Sequence, residues 1–281
     1  MRLVRSIGCA RRAVSELPHP RVLVPTMGAL HRGHVALLEK ARKIARRRDG
    51  SVLVSIFINP AQFGPGEDFT RYPRTLASDL AICRAADVAL VFAPSAQAMY
   101  DPHRSTGITE TALSRGLCGA SRPGHFPGVC TVVAKLFHIL SPDAALFGEK
   151  DWQQLAIIRR MVADLDFPVE VLSAPTVREA DGLAFSSRNA YLPTEERALA
   201  PGVYAALRKA AAEAPTPASA AKLARKLIGK IPGARIDYVE GVDAATLTPT
   251  QRVDRPARLA AAVYFGTTRL IDNIPFPTPK P

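Results

Sequence analysis

RVLVPTMGALHRGHVALLEKARKIARR, from Arg21 to Arg47, changes its hydrophobic pattern part-way along. It opens on a short apolar run, and from Val35 onward Leu37, Leu38, Ala41 and Ile44 recur at a helical period of about 3.6 residues. That switch predicts a buried strand, a glycine-bearing turn and an amphipathic helix. The unit recurs along the chain: SVLVSIFIN, DVALVFA, DAALFG and FPVEVL are further strand candidates. GVCTVVAKLFHIL is a further helix, with Val129, Val132, Val133, Leu136 and Leu140 on its apolar face. Continuous apolar strands separated by helix-length segments mark a parallel sheet covered on both faces. The prediction is an α/β fold, a Rossmann-like doubly wound parallel sheet over residues 1–177.

Beyond residue 177 the texture changes. TEERALAPGVYAALRKAAAEAPTPASAAKLARKLIGK is Ala-rich and helical, interrupted at Pro215 to Pro217, and ARIDYVEGVD, RLAAAVYFG and TRLIDNI read as strands. Residues 178–281 are therefore expected to form a smaller C-terminal α+β domain. The tail PFPTPKP is expected to fray.

The chain has 281 residues, 47% hydrophobic and 22% charged, which suits a folded globular protein and not a disordered one. The formal charge of +12 suits either nucleic acid or an acidic small molecule. The densest cluster, Lys40 to Arg48, reads as the solvated end of a helix, with only Phe57 as a nearby aromatic, so nucleic acid is not the expected partner. Cys9, Cys83, Cys118 and Cys130 form no CxxC pair and read as isolated reduced thiols. No run approaches the roughly 18 apolar residues of a membrane span, and no signal-peptide core is present; together these point to the cytoplasm.

Four stretches carry chemistry. His31 and His34 stand at the exit of the first strand, where the helix start offers free N–H groups and a positive dipole to phosphate. The dipole disfavours an imidazolium, so His34 is expected neutral without ligand, while a bound triphosphate pulls towards protonation. Gly33 lets a flat base or phosphate approach the backbone. A polar turn is the commoner meaning of a bare HxxH, and a zinc site lacks a third ligand in register. In LFGEKDWQQL, Lys150 offers a point charge to phosphate; Asp151 is either a ligand for a ribose or cation, or the cap of a box with Gln154. Ser186, Ser187 and Arg188 read either as phosphate ligands or as a capped linker. FINPAQFGPGEDFTRYPRT is a long Pro- and Gly-rich loop whose Asn59 and Gln62 suit a substrate with hydroxyl and carboxylate groups.

These blocks, with SRPGHFPGVCTVVAKLFHIL, LFGEKDWQQLAIIRRMV, DGLAFSSRNAYL, ARIDYVEGVD and TRLIDNI, resemble nearly end to end the pantoate–β-alanine ligase family of the HxGH nucleotidylyltransferase superfamily. The resemblance implies a two-step reaction: ATP and pantoate give a pantoyl adenylate and diphosphate, then β-alanine attacks to give pantothenate and AMP. It implies that Met27, Gly28, Ala29, Leu30, His31, Arg32, Gly33 and His34 line the ATP site. Gly148, Glu149, Lys150, Asp151, Val177, Phe185, Ser186, Ser187 and Arg188 are further nucleotide residues. His34, His31, Lys150 and Arg188 are the catalytic set, His34 being the proton donor. Asn59, Gln62 and Gln154 would contact pantoate, with Gln62 also where β-alanine enters. The family uses Mg2+ and forms homodimers through the larger domain, the smaller domain acting as a lid. Three positions depart from its pattern: Ser78 precedes Asp79, leaving Asp79 as the one expected metal carboxylate; Pro127 stands where Asp is common; and Phe185 replaces Met or Leu.

Overall fold

A computed structural model describes residues 1–277. They form two compact units. The first comprises Met1–Thr111, Arg122–Glu149 and Ile157–Pro175, and the second Ala112–Ser121, Lys150–Ala156 and the described residues from Thr176 onward. The last passage of the chain from one to the other falls at Pro175, two residues from the boundary expected at 177, but the second unit also takes two earlier segments. Gln153 shows why 112–121 and 150–156 go together: it is 6% exposed, accepts from the Cys118 amide and donates to the carbonyls of Leu113 and Gly116.

The first unit is built on a parallel sheet of β1 (Arg2–Val4), β2 (Arg21–Thr26), β3 (Ser51–Ile56), β4 (Leu90–Phe92), β5 (Ala144–Gly148) and β6 (Glu170–Ala174), in the order β1-β4-β3-β2-β5-β6. Its helices are α1 (Ile7–Ser15), α2 (Arg32–Arg46), α3 (Leu76–Ala85), the short α4 (Ala96–Met99) and α6 (His125–Leu140); the four-residue α5 (Cys118–Ser121) belongs to the second unit, and α7 (Trp152–Asp164) runs through both segments. Val22 and Val24 of β2 pack with Val52, Val54, Leu37, Leu38 and Ala41 on the α2 side, while Leu23 and Leu53 are fully buried on the other face. Burial on both faces is why these strands read as unbroken apolar runs. β3 and β4 lie to one side of β2 and β5 and β6 to the other, so the strand order reverses at β2 and β5, and the crevice for a ligand opens at their C-terminal ends. Only β1 has no counterpart in the sequence reading: three residues on an edge, with Arg2 and Leu3 exposed, carry too little pattern.

In the second unit α8 (Thr194–Leu199), α9 (Pro201–Glu213) and α10 (Pro217–Ile228) precede an antiparallel sheet β7-β8-β9 of Ala234–Asp243, Ala257–Phe265 and Thr268–Phe276. Leu207, Ala210, Ala220, Ala224 and Ile228 pack on Leu259, Ala261, Val263, Phe265 and Ile274. Small residues let helix and sheet approach closely; a Cβ on Gly241 would lie 2.2 Å from the Pro217 carbonyl oxygen. The break at Pro215 to Pro217 becomes the start of α10, where Thr216 and Ser219 form a capping box. Pro275 and Phe276, expected to fray, belong to β9, whereas residues 278–281 lie outside the described residues.

Candidate active site

In the first unit the loop after β2 runs directly into α2. His31 is the N-cap and His34 stands in the first turn. The Nδ1 atom of His31 accepts from the Gly33 amide at 3.1 Å, and Nδ1 of His34 accepts from the His31 amide at 3.2 Å, a reciprocal box made of two imidazoles. An acceptor nitrogen carries no proton, so both rings are the neutral tautomer with the hydrogen on Nε2. Their centroids are 4.1 Å apart with the planes tilted by 41°, so the two rings stand together at a helix N-terminus. This box sits at HxGH; further along, α7 grows straight out of a 3-10 turn, Glu149–Asp151.

Asp79 braces that loop. It is 1% exposed; Oδ2 accepts from the Ala29 amide at 3.1 Å, Oδ1 accepts from the Leu30 amide at 2.8 Å, and the Thr75 hydroxyl lies 3.2 Å from Oδ1. Ala29 has φ +50° and Gly28 φ +82°, so two successive residues are in the left-handed region and the carboxylate holds the strained one. A Cβ on Gly28 would lie 3.0 Å from Asp79 Oδ2, tighter than ordinary contact. Arg32 is exposed, while Met27 accepts at Sδ from Gln62 Nε2 at 2.9 Å.

Asn59 caps a 3-10 turn, Pro60–Gln62, of which Gln62 is the last residue. Asn59 is 1% exposed and spends its whole hydrogen-bonding capacity within the protein: Nδ2 donates to Gln62 Oε1 and the Gly128 carbonyl, and Oδ1 accepts from the Ala61 amide and the Tyr100 hydroxyl, the last at 2.7 Å. Burial pushes the Tyr100 hydroxyl up to about 12, against the opposing pull of Arg104 and the Asn59 bond, so it stays a donor through the neutral range. The Gln62 backbone is held from the other side, where its carbonyl lies 2.8 Å from His125 Nδ1 and 3.4 Å from Arg122 Nη2. Arg122 in turn grips Glu67 through both carboxylate oxygens. Pro127 lies in the first turn of α6, where an N–H has no intrahelical partner, so it starts the helix without distorting it. At the end of β5, Gly148 leaves open space where a Cβ would stand, and Glu149 accepts from Ser173 Oγ at 3.0 Å.

In the second unit Val177 and Phe185 pair across a hairpin, Phe185 N donating to Val177 O at 3.0 Å, with Gly182 at φ +94° in its turn. Ser186 caps the following 3-10 turn, Ser187–Tyr191, by accepting from the Arg188 amide at 3.2 Å. The capped-linker reading of these serines is thus realised at Ser186. Lys150 is half-buried, and Gln154 is less buried than its neighbour Gln153.

The family profile described as pantoate-beta-alanine ligase matches residues 2–275. The chain belongs to the pantoate-beta-alanine ligase family. It is a ligase of the pantothenate-forming class. It is 55% identical to pantothenate synthetase of Akkermansia muciniphila over 90% of this chain and 91% of the relative. With that of Rhizorhabdus wittichii it shares 51% over 98% of each. The crystal structure of pantothenate synthetase from Thermus thermophilus superposes with a TM-score of 0.89 at 46% identity, covering 98% of this chain and 99% of that one. Pantoate-beta-alanine ligase from Francisella tularensis, solved in complex with beta-gamma ATP and beta-alanine, gives 0.82 at 33% identity, with 98% and 97% covered.

Against this family background Asp79 is the one carboxylate expected near a metal. Mg2+ asks for about six oxygen ligands in near-octahedral array. Asp79 accepts from two amides and lies beside the Thr75 hydroxyl, and among the described residues no three His, Cys, Asp or Glu side chains cluster as a metal site; an Mg2+ held by one carboxylate together with substrate phosphates needs no such cluster. Within this structure Asp79 braces the loop through the Ala29 and Leu30 amides. The remaining residues that sequence reasoning missed act through hydrogen bonds distant in sequence: Tyr100 on Asn59, Arg122 and His125 on Gln62, and Gln153 on the 112–121 segment. SRPGHF was visible as a motif, but nothing in its spacing tied it to Gln62.

The four cysteines are free, and Cys83 and Cys130 are buried. Burial pushes both thiols up to about 11, assisted at Cys83 by the Asp79 charge. They are inert packing groups. Among the described residues no helix is long and apolar enough to cross a membrane.

Proposed function

We propose that the chain condenses pantoate with β-alanine in two steps driven by ATP. In the first, a pantoate carboxylate oxygen attacks the α-phosphorus, the bond to the bridging oxygen breaks, and diphosphate leaves. In the second, the β-alanine amine attacks the acyl carbon of the pantoyl adenylate, AMP departs with the electrons of the acyl–oxygen bond, and the amine releases its proton.

The observation that carries this reading is the pair of neutral imidazoles at the start of α2, each fixed by a backbone amide so that Nε2–H is its donor. Donors set in advance where charge develops on phosphate oxygens accelerate displacement without a covalent enzyme intermediate. His34 and His31 are assigned this role, with Lys150 and Arg188 as further phosphate cations. The remaining residues from Met27 to Gly33, Gly148, Glu149, Asp151, Val177, and Phe185 to Ser187 are assigned to the nucleotide. Gln62 retains an amide hydrogen for pantoate, Asn59 holds it in place, and Gln154 is assigned to the same substrate. Mg2+ is assigned to the triphosphate, with Asp79 as the one carboxylate expected near it. The smaller unit is assigned the part of a lid, and the family's homodimer is expected as a sedimenting species of twice 30.2 kDa.

Purified protein should turn over ATP to AMP and diphosphate only with pantoate and β-alanine both present. An adenylylated product accumulating on some other acceptor would overturn the reading in favour of a simple nucleotidylyltransferase.

A further inference from the structure

Adjacent residues of a strand face opposite sides of the sheet, and β9 uses one such pair to hold two separate segments. Asp272, on the face shared with Leu270 and Ile274, accepts both arms of Arg178 at 2.6 and 2.8 Å. Arg178 lies 3.5 Å over the Tyr204 ring and donates to the Gly182 carbonyl at 3.1 Å, so this fork fixes the hairpin leading into Ser186, Ser187 and Arg188. Asn273, on the opposite face, donates from Nδ2 to the carbonyl of Lys150 at 2.9 Å. Its Oδ1 accepts from Arg258 at 2.9 Å, and Arg258 lies 3.6 Å over Trp152, two residues beyond Lys150. Both side chains are buried, Asp272 8% and Asn273 4% exposed. Asp272, Lys150 and Ser186 line one small cavity of about 20 Å³.

We propose that Asp272 and Asn273 are positioning residues for the nucleotide, registering Lys150 and the Ser186 to Arg188 segment to one strand. The chemistry suits each task. An amide is the small side chain with both a donor for the Lys150 carbonyl and an acceptor for Arg258, and a carboxylate matches the guanidinium fork. β9 is paired to β8 along its whole length, from Thr268 opposite Phe265 to Phe276 opposite Ala257, so both grips are referred to a fixed backbone. A cation misplaced by about 1 Å loses much of its effect on a phosphate.

The inference rests on the reading of Lys150 and Ser186 to Arg188 as nucleotide residues, and the test separates the two. N273D keeps an acceptor for Arg258 and removes the donor to Lys150; D272N keeps the shape of the Arg178 fork and removes its charge. Both should raise KM for ATP about ten- to a hundredfold while KM for pantoate stays within about twofold, with K150A measured alongside. If K150A impairs ATP use while N273D and D272N leave KM for ATP unchanged, the positioning role is overturned. The same follows if the two variants lower only the melting temperature, or raise the KM values of ATP and pantoate equally. If K150A itself leaves ATP kinetics unchanged, the nucleotide reading of Lys150 fails, and the proposal with it. Should N273D not fold, D272N alone decides.

Discussion

His34 carries two tasks that one substitution separates. As a donor at a developing phosphate charge it should be worth about a hundred- to a thousandfold in the adenylation rate, the usual scale for one preorganised donor. As half of the imidazole box it contributes roughly 1 kcal/mol of helix capping. H34A should therefore lose adenylate formation, followed by rapid-quench detection of the intermediate, while melting only a few degrees lower; a large melting shift with intact turnover would make it a structural cap alone. Asp79 separates differently. D79N leaves one of the Ala29 and Leu30 amides facing a donor, at a cost of about 1–3 kcal/mol. Adenylation should fall with the loop; a Mg2+ concentration for half-maximal rate that does not move makes Asp79 a loop brace alone, and one that rises makes it a metal ligand as well. HxGH was legible as a helix start because strand and helix periods bracket it. The role of Asp79 was not, because the amides it serves lie about fifty residues earlier and amides leave no trace in residue type.

Among the elements, strands buried on both faces were legible from their apolar runs, while β1 was not, since three edge residues bury too little to constrain their identity. The start of α6 shows what a motif conceals. Gly128 packs so closely on the 3-10 turn of Pro60–Gln62 that a Cβ would meet the Ala61 carbonyl oxygen at 2.2 Å and its carbon at 2.5 Å. Both are backbone atoms, so G128A must shift the turn bearing Gln62, at roughly 1–3 kcal/mol, and KM for pantoate should rise more than KM for ATP. Gly148, with open space around a Cβ, is the converse case. G148A should leave the melting temperature within about 1 °C, because nothing in the protein is displaced, while raising KM for ATP if the nucleotide runs beside the end of β5. Steady-state kinetics and thermal melts of the two variants are the check, and equal effects on both substrates would contradict these assignments.

For the whole molecule, the membership of 112–121 and 150–156 in the second unit was beyond the reach of periodicity, because side-chain hydrogen bonds of Gln153 decide it. Charge is legible from composition, and its consequence can be stated with its sign. At Glu67 burial opposes ionisation but the Arg122 hydrogen bonds and charge outweigh it, and at Asp143 the Arg21 amide and His19 do the same, so both carboxyls lie below their ordinary range. In the second unit Asp181 is lowered by Arg197; at Asp243 burial is the largest single effect and opposes ionisation, but the Thr246 and Ala245 amides, the Thr246 side chain and Arg255 together outweigh it. A carboxyl depressed in the folded state contributes stability that is present above its unfolded pKa and is lost as pH falls through the folded value. Protonating the 25 acidic residues also leaves 37 Lys and Arg, with six His, unopposed. The melting temperature should thus be level from about pH 6 to 8 and fall progressively below about 4.5, with part of the loss recovered in salt, which screens the exposed charges. E67Q isolates one contribution: it should melt lower than the parent at pH 7, by about 1 kcal/mol for a partly exposed pair, and converge with it as pH falls through the lowered titration of the parent's own Glu67. Thermal melts of the two proteins from pH 3 to 8 measure this, and a difference that stays constant across that range would mean that the Glu67–Arg122 charge pair is not what fastens the Gln62 loop.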